Sequence, residues 1–410
     1  MALKQTIAFL LLFVTLLAGC HAVTDTQQTL PLETLPPATA VTPTVLETTI
    51  TEPTQETVVP EITTAAEIDS TPAEPEFDPI TFASLLSTEE KVGQLFLARC
   101  PETNALEDVT NYHLGGYILF DRDFRHSTPE EVQSLIVEFQ QAASIPMLMA
   151  VDEEGDTVTR VSCYKQFRHS NFPSPRSLYD QGGITLIAEI EQEKCQLLTS
   201  LGLNVNMAPV CDITTDPDAF MYDRSLGQPP YATAYFTKTI VDIMKEYQVG
   251  SVLKHFPGYG NNTDTHTGIA TDERSLDELE SADLVPFAVG IKAGCGAILV
   301  SHTFINALDP ILPASLSPVV NEYLRNELGF DGVAVTDDLA MEAITDLYGD
   351  EEAAVLAVLA GNDLLCSSEY QVQYTAVLEA VHSGRISAER LDQAVVRILQ
   401  WKHQLGLIAK

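Results

Sequence analysis

The feature that most limits how this 410-residue chain can fold is a beat of short apolar runs. Eight recur past residue 81: VGQLFLA (92–98), GGYILF (115–120), PMLMAV (146–151), LNVNMAPV (203–210), VGSVL (249–253), GAILVS (296–301), GVAVT (332–336) and NDLLC (362–366). Stretches of helical periodicity separate most of them, among them Pro129 to Ala143, Thr185 to Leu201, Ala232 to Tyr247 and Leu316 to Leu328. Near-continuous apolar strands alternating with helices signify a parallel sheet covered on both faces. Eight such units in 81–410 predict an α/β fold, a single (β/α)8 TIM-type barrel. A doubly wound sheet is the rival, but nothing like GxGxxG opens the first unit.

A barrel demands that functional residues lie at or just after the C-terminal ends of its strands. The polar groups closing these runs are Asp152-Glu153-Glu154-Gly155, Lys254-His255, Ser301-His302 and Asp337-Asp338. KHFPGYGNNTDTH (254–266) is then read as a strand-end loop, with a Lys, two His and an Asp around a Pro/Gly turn.

The first 80 residues have a different character. Lys4 and an apolar run from Ile7 to Leu17 lead to Leu17-Ala18-Gly19-Cys20, a secretory leader too short to span a bilayer comfortably. Small residues ahead of a Cys resemble the bacterial lipobox, in which that Cys is lipidated and becomes the new N-terminus. Residues 1–20 are thus expected to be a lipoprotein signal peptide ending at Cys20. Residues 21–80 carry nine Pro, many Thr, eleven acids, no Gly and no Lys or Arg. Such a segment cannot bury enough apolar surface to offset its ordering entropy, and is expected to be a disordered, extended linker. These segments together predict a domain tethered by a lipid to the extracellular face of a bacterial cytoplasmic membrane.

Residues 81–410 hold 47 acidic and 21 basic residues, a balance that excludes nucleic acid as a partner. Nothing points to a protein partner. Cys100, Cys163, Cys195, Cys211, Cys295 and Cys366 are scattered without metal-like spacing and are expected to be buried thiols. HExxH, GxSxG and the P-loop are missing from the sequence, and neither a metal nor a cofactor is expected.

Two groups have the chemistry of an acid/base pair. Asp264 and His266 stand two apart, close enough for the carboxylate to accept from an imidazole N–H and fix its tautomer. Asp337 closes an apolar strand in VAVTDDL, beside a second acid that would repel it. Asp338 is also placed to cap a helix ahead of Leu339-Ala340-Met341-Glu342-Ala343.

Taken together, DEEG…TR (152–160), DRS (223–225), KHFPGYG…DTH (254–266) and VTDDLAM (335–341) closely resemble glycoside hydrolase family 3, in its β-N-acetylglucosaminidase branch. The resemblance covers nearly all of 81–410 and ends at the helix RILQWKHQLGL. It implies that Asp337 is a nucleophile forming a covalent glycosyl-enzyme, and that His266, oriented by Asp264, is the general acid and then the base. It also implies that Asp152, Arg160, Arg224, Lys254 and His255 hold the sugar hydroxyls. The substrate implied is a terminal N-acetylglucosaminide of peptidoglycan fragments or related amino-sugar glycans. A β-glucosidase, a broader hexosaminidase, a glycosyl phosphorylase of the same branch and a non-catalytic sugar-binding lipoprotein stay open. The chain departs from the family at Asp156, where D-x-E-G-G has its second Gly, and at Tyr259, where His is common.

Overall fold

The computed structural model describes residues 77–262 and 268–409. The expected leader with Cys20, all of the linker up to residue 76, and the Asp264–His266 pair lie outside the described residues. Eight strands run in one direction: β1 (Phe96–Arg99), β2 (Gly116–Leu119), β3 (Leu148–Val151), β4 (Val205–Asn206), β5 (Gly250–Phe256), β6 (Ala297–Val300), β7 (Val333–Thr336) and β8 (Leu365–Ser367). Each pairs in parallel with the next from β1 to β7, and β8 lies against β1. The ring closes where Val335 of β7 pairs with Leu364, just ahead of β8. The fold is the expected (β/α)8 barrel, and the doubly wound alternative falls away.

The helices start where local chemistry allows. Thr128 and Glu131 form a capping box around the first turn of Pro129–Ala142, and Ser87 with Glu90 does the same for Thr88–Gln94. Pro opens the helices at Pro129, Pro175, Pro230 and Pro318, where its fixed φ suits the first turn and its missing N–H costs nothing. That second capping box corrects the expected first strand. Val92, Gly93 and Gln94 are helical, and β1 begins only at Phe96. The expected helix 316–328 is instead a 3₁₀ turn (Ala314–Leu316), a short α-helix capped by Ser317 (Pro318–Glu322) and a π turn (Tyr323–Glu327).

Two buried features hold the ring. Asp363, fully buried beside β8, accepts from Arg325 (2.6 Å), Arg390 (3.0 Å), Arg397 (3.2 Å) and the Ala334 backbone N–H (3.1 Å). One carboxylate thereby ties β7 and the C-terminal helix Ala388–Gln404 across the seam where the barrel closes. Farther along the same helix, Trp401 lies against Gly250 and Gly296, at the N-terminal starts of β5 and β6. A Cβ on Gly250 would come 2.7 Å from its indole ring, so the strand starts must be glycine there.

Of the six expected buried thiols, five are buried and free, and Cys163 is exposed. It sits on the wide loop after β3, outside the apolar layers that cover the others.

Candidate active site

At the C-terminal ends of the strands opens a cavity of about 650 Å³, within the range of sites for small ligands. Its described walls include Asp152, Arg160, Arg224, Lys254, His255 and Asp337. All five residues expected to hold sugar, and the expected nucleophile, therefore converge on one space although they span 186 positions of sequence from the first to the last.

Lys254 and His255 require a correction. They belong to β5, which runs to Phe256, and not to a loop beyond it. In a regular strand, neighbouring side chains point to opposite faces. Here the register against β6 shifts between Leu253 and Phe256. That irregularity turns both side chains toward the cavity, the re-aiming that strand bulges provide.

The charges are arranged as a closed network. Lys254 Nζ lies 2.6 Å from Asp152 Oδ1 and 2.6 Å from Glu154 Oε1. Arg224 meets Glu154 with two parallel bonds, Nε to Oε2 at 2.9 Å and Nη2 to Oε1 at 2.7 Å. Burial alone would raise the Glu154 carboxyl, but the Arg224 and Lys254 charges outweigh it and hold the group well below the usual carboxylate range. Burial likewise works against charged Lys254, and the carboxylates of Asp152 and Glu154 more than offset it, so its ammonium titrates above the usual value. The result is a pair of fixed cations with their donors aimed along the cavity wall.

His255 is oriented from behind by Asp212. Its Nδ1 lies 2.7 Å from Asp212 Oδ2, which also accepts from the His255 backbone N–H at 3.1 Å. Since a carboxylate accepts there and the Arg224 Nη2 donates at 3.3 Å on the other side, the proton sits on Nδ1 and the lone pair on Nε2. The other oxygen of Asp212 accepts from Tyr259 N at 2.7 Å, which fixes the turn following β5.

Asp337 follows β7 directly, and its backbone N–H donates to Val300 O at 3.2 Å. Its Oδ1 accepts from Asp338 N at 2.9 Å. Asp338 is not the expected helix cap, because the helix begins at Glu342 with Met341 at its cap. Its carboxylate instead accepts from Ala340 N (3.0 Å) and from Ser368 N (3.0 Å), binding the loop to the end of β8. His302 completes the support. Its Nε2 donates to Asp338 O at 3.0 Å, leaving Nδ1 to accept from the Ser315 hydroxyl at 2.7 Å. Cys366 also faces the cavity, but burial and then the charges of Asp338 and Asp337 push its thiol well up, so it stays protonated.

The comparisons fit this geometry. Residues 87–401 match the pattern described as the glycosyl hydrolase family 3 N terminal domain. The chain belongs to that family. It is 30% identical over 337 residues to the beta-hexosaminidase LpqI of Mycobacterium tuberculosis, covering 79% of this chain and 85% of that protein. To the beta-hexosaminidase of Stenotrophomonas maltophilia (strain R551-3) it is 34% identical over 306 residues, covering 72% and 86%. A solved glycoside hydrolase family 3 beta-N-acetylglucosaminidase from Paenibacillus sp. str. FPU-7 superposes with a TM-score of 0.74 at 35% identity, covering 79% of this chain and 64% of that one.

Both departures from the family pattern have a structural account. Asp156 adopts φ 53°, a left-handed conformation that Gly takes freely and Asp tolerates, and its side chain is exposed. It adds no acid to the cavity wall. Tyr259 is buried, with its ring edge-on to His255 at 5.3 Å and tilted against Phe220 at 5.8 Å. It is packing that steadies the imidazole. Sequence reasoning placed Glu153, Glu154 and His302 at strand ends but gave them no role, and it passed over Asp212. Glu153 Oε2 accepts from the backbone N–H groups of Arg160 (2.9 Å) and Val161 (2.8 Å), which sets where Arg160 enters the cavity.

Proposed function

We propose that this glycoside hydrolase is a retaining exo-β-N-acetylglucosaminidase that releases terminal N-acetylglucosamine from peptidoglycan fragments or related amino-sugar glycans. The observation that carries the reading is the meeting of Asp337 with Asp152, Arg160, Arg224, Lys254 and His255 in one cavity. The beta-hexosaminidase and beta-N-acetylglucosaminidase names of the relatives support the choice of sugar.

In this reading a carboxylate oxygen of Asp337 attacks the anomeric carbon. His266, oriented by Asp264, gives its proton to the departing glycosidic oxygen as that bond breaks. A water then loses its proton to His266 and attacks the same carbon, which frees Asp337 and yields the sugar with its configuration retained. Lys254 and Arg224, locked by Glu154, supply donors to the sugar hydroxyls at no cost in reorganisation. His255 offers its edge in one tautomer because Asp212 holds the other nitrogen.

The placement of the enzyme comes from the N-terminal segment alone. Residues 81–410 are read as the catalytic domain, Cys20 as its lipidated anchor and 21–80 as the tether that holds it off the membrane. Among the described residues no helix is long and apolar enough to cross a membrane.

The deciding experiment measures release of nitrophenol by the full chain from para-nitrophenyl N-acetyl-β-glucosaminide and from the matching β-glucoside, with His266→Ala alongside. Strong turnover of the acetylated sugar alone, lost in the variant, supports the proposal. Preference for the glucoside, or turnover of neither, contradicts it.

A further inference from the structure

Asp264 and His266 stand in a stretch of chain whose two flanks meet at one guanidinium, that of Arg274. Its Nε lies 3.0 Å from each carboxylate oxygen of Asp272, and its Nη2 lies 2.6 Å from Asp272 Oδ2. The far side of the same group meets Asp283, Nη1 to Oδ2 at 2.5 Å and Nη2 to Oδ1 at 3.3 Å. Both acids are buried. Burial pushes the Asp283 carboxyl up to about 6 even with Arg274 drawing it down, so the acid depends on that cation for its charge.

The flank before the pair rests on this cluster. A Cβ on Gly260 would come 2.6 Å from Arg274 Nη2, and one on Gly258 would come 2.5 Å from Asp283 Oδ1, so the turn after β5 lies directly against the ions. Tyr259, between these glycines, donates its N–H to Asp212, and Asn261 accepts from the Thr214 hydroxyl at 3.0 Å. The flank after the pair ends in Asp272 itself. There Thr271–Asp272 pairs in parallel with Phe304–Ile305, Phe304 N donates to Ala270 O at 2.9 Å, and Asn306 N donates to Asp272 O at 3.0 Å. Arg274 thus joins two flanks seated on different parts of the barrel. A planar fork spans both acids at once, which the point charge of a Lys does not.

We propose that Arg274 is a positioning residue for proton transfer. By clamping Asp272 and Asp283 it fixes both flanks of the segment that carries Asp264 and His266, and so sets where His266 stands against the departing oxygen. The inference rests on the glycosidase reading and on the role given there to His266. A general acid must lie within hydrogen-bond reach of the oxygen it protonates, and it contributes about 10²–10⁴-fold when it does. Displacing it costs most where the leaving oxygen most needs the proton.

The test compares kcat/KM of the full chain on two substrates, the phenyl and the dinitrophenyl N-acetyl-β-glucosaminides. Phenol is a poor leaving group and needs the proton, whereas dinitrophenolate departs without it. Arg274→Gln should lose about 10²-fold on the phenyl substrate and less than about threefold on the other, the pattern expected of His266→Ala. Arg274→Lys should recover part of the loss, and Arg274→Gln should cost little more once His266 is already Ala. Equal losses on both substrates, no loss on either, or additive losses in the double variant overturn the proposal. If Arg274→Gln fails to fold, Arg274→Lys carries the same comparison, with a smaller loss that still depends on the leaving group. A flat pattern in His266→Ala sinks the role of His266 and the proposal with it, whereas a flat pattern in Arg274→Gln alone sinks only the proposal. If wild type turns over neither substrate, the glycosidase reading fails and hydrogen exchange judges the clamp by itself. Faster exchange in Arg274→Gln confined to peptides within 258–272 would then support it, and exchange unchanged there, or raised across the barrel, would sink it.

Discussion

Arg224 and Glu154, seventy positions apart, form a two-point ion pair inside the cavity wall, with bonds of 2.9 and 2.7 Å and the carboxylate almost fully buried. Glu154 binds Lys254 as well, so one acid positions two of the cations that line the cavity. Glu154→Gln keeps the shape but removes the charge. Arg224 and Lys254 then lose a fixed partner and the sugar loses its oriented donors. A fall in kcat/KM of roughly 10²-fold is expected, with KM rising, in steady-state kinetics on the nitrophenyl substrate. Unchanged kinetics would mean that Glu154 only fills space.

Asp212→Asn tests the support of His255. The amide keeps an acceptor oxygen, yet its other atom is a donor facing one of three N–H groups now bound by the carboxylate. Activity should drop by about tenfold or more while thermal stability shifts by only a few degrees. Full activity would show that the imidazole needs no such anchor.

The seam of the barrel depends on Asp363. Asp363→Ala leaves Arg325, Arg390 and Arg397 without their shared carboxylate, and removing one side of a buried ionic cluster costs about 3–5 kcal/mol. Urea unfolding should report a loss of that size. A loss under about 1 kcal/mol would place the closure elsewhere.

Lys402 gives a pH-dependent prediction. It is fully buried, donates to Gln94 Oε1 at 2.6 Å, and burial pushes its ammonium down from 10.5 to about 7. Above the ordinary value both folded and unfolded states are neutral and the group contributes nothing. Between there and about 7 only the unfolded chain takes up the proton, so stability is lost as the pH falls, and the loss is complete below about 7. Lys402→Met should therefore gain on wild type by more at pH 7 than at pH 10, by on the order of 2 kcal/mol in unfolding free energy. An equal difference at both pH values would contradict the assignment.

How much was legible follows from the physics of each part. Parallel strands covered on both faces must be apolar throughout, and so all eight left runs that the sequence displays, with the first misplaced only where the Ser87–Glu90 cap claims Val92 to Gln94 for a helix. The residues that line the cavity are equally visible, because Asp152, Lys254, His255 and Asp337 must end strands or lie at their ends. What supports them was not legible. The role of Glu154 depends on Arg224, and that of Asp212 on His255, partners tens of residues away that only the closed ring brings near. No local pattern distinguishes Asp212 from any acid in a loop. The irregularity in β5 was hidden for the same reason, since its register is set by pairing with β6.

The central claim is that Asp337, at the end of β7, bonds covalently to the sugar. A slow substrate with a fluorinated N-acetylglucosaminyl group and a good leaving group should trap that species in the full chain, and peptide mass spectrometry would locate it. The account predicts one glycosyl adduct on the peptide containing Asp337-Asp338, assigned by fragmentation to Asp337 and absent from Asp337→Asn. An adduct on Asp338 or elsewhere, or turnover with inversion and no adduct, would contradict it.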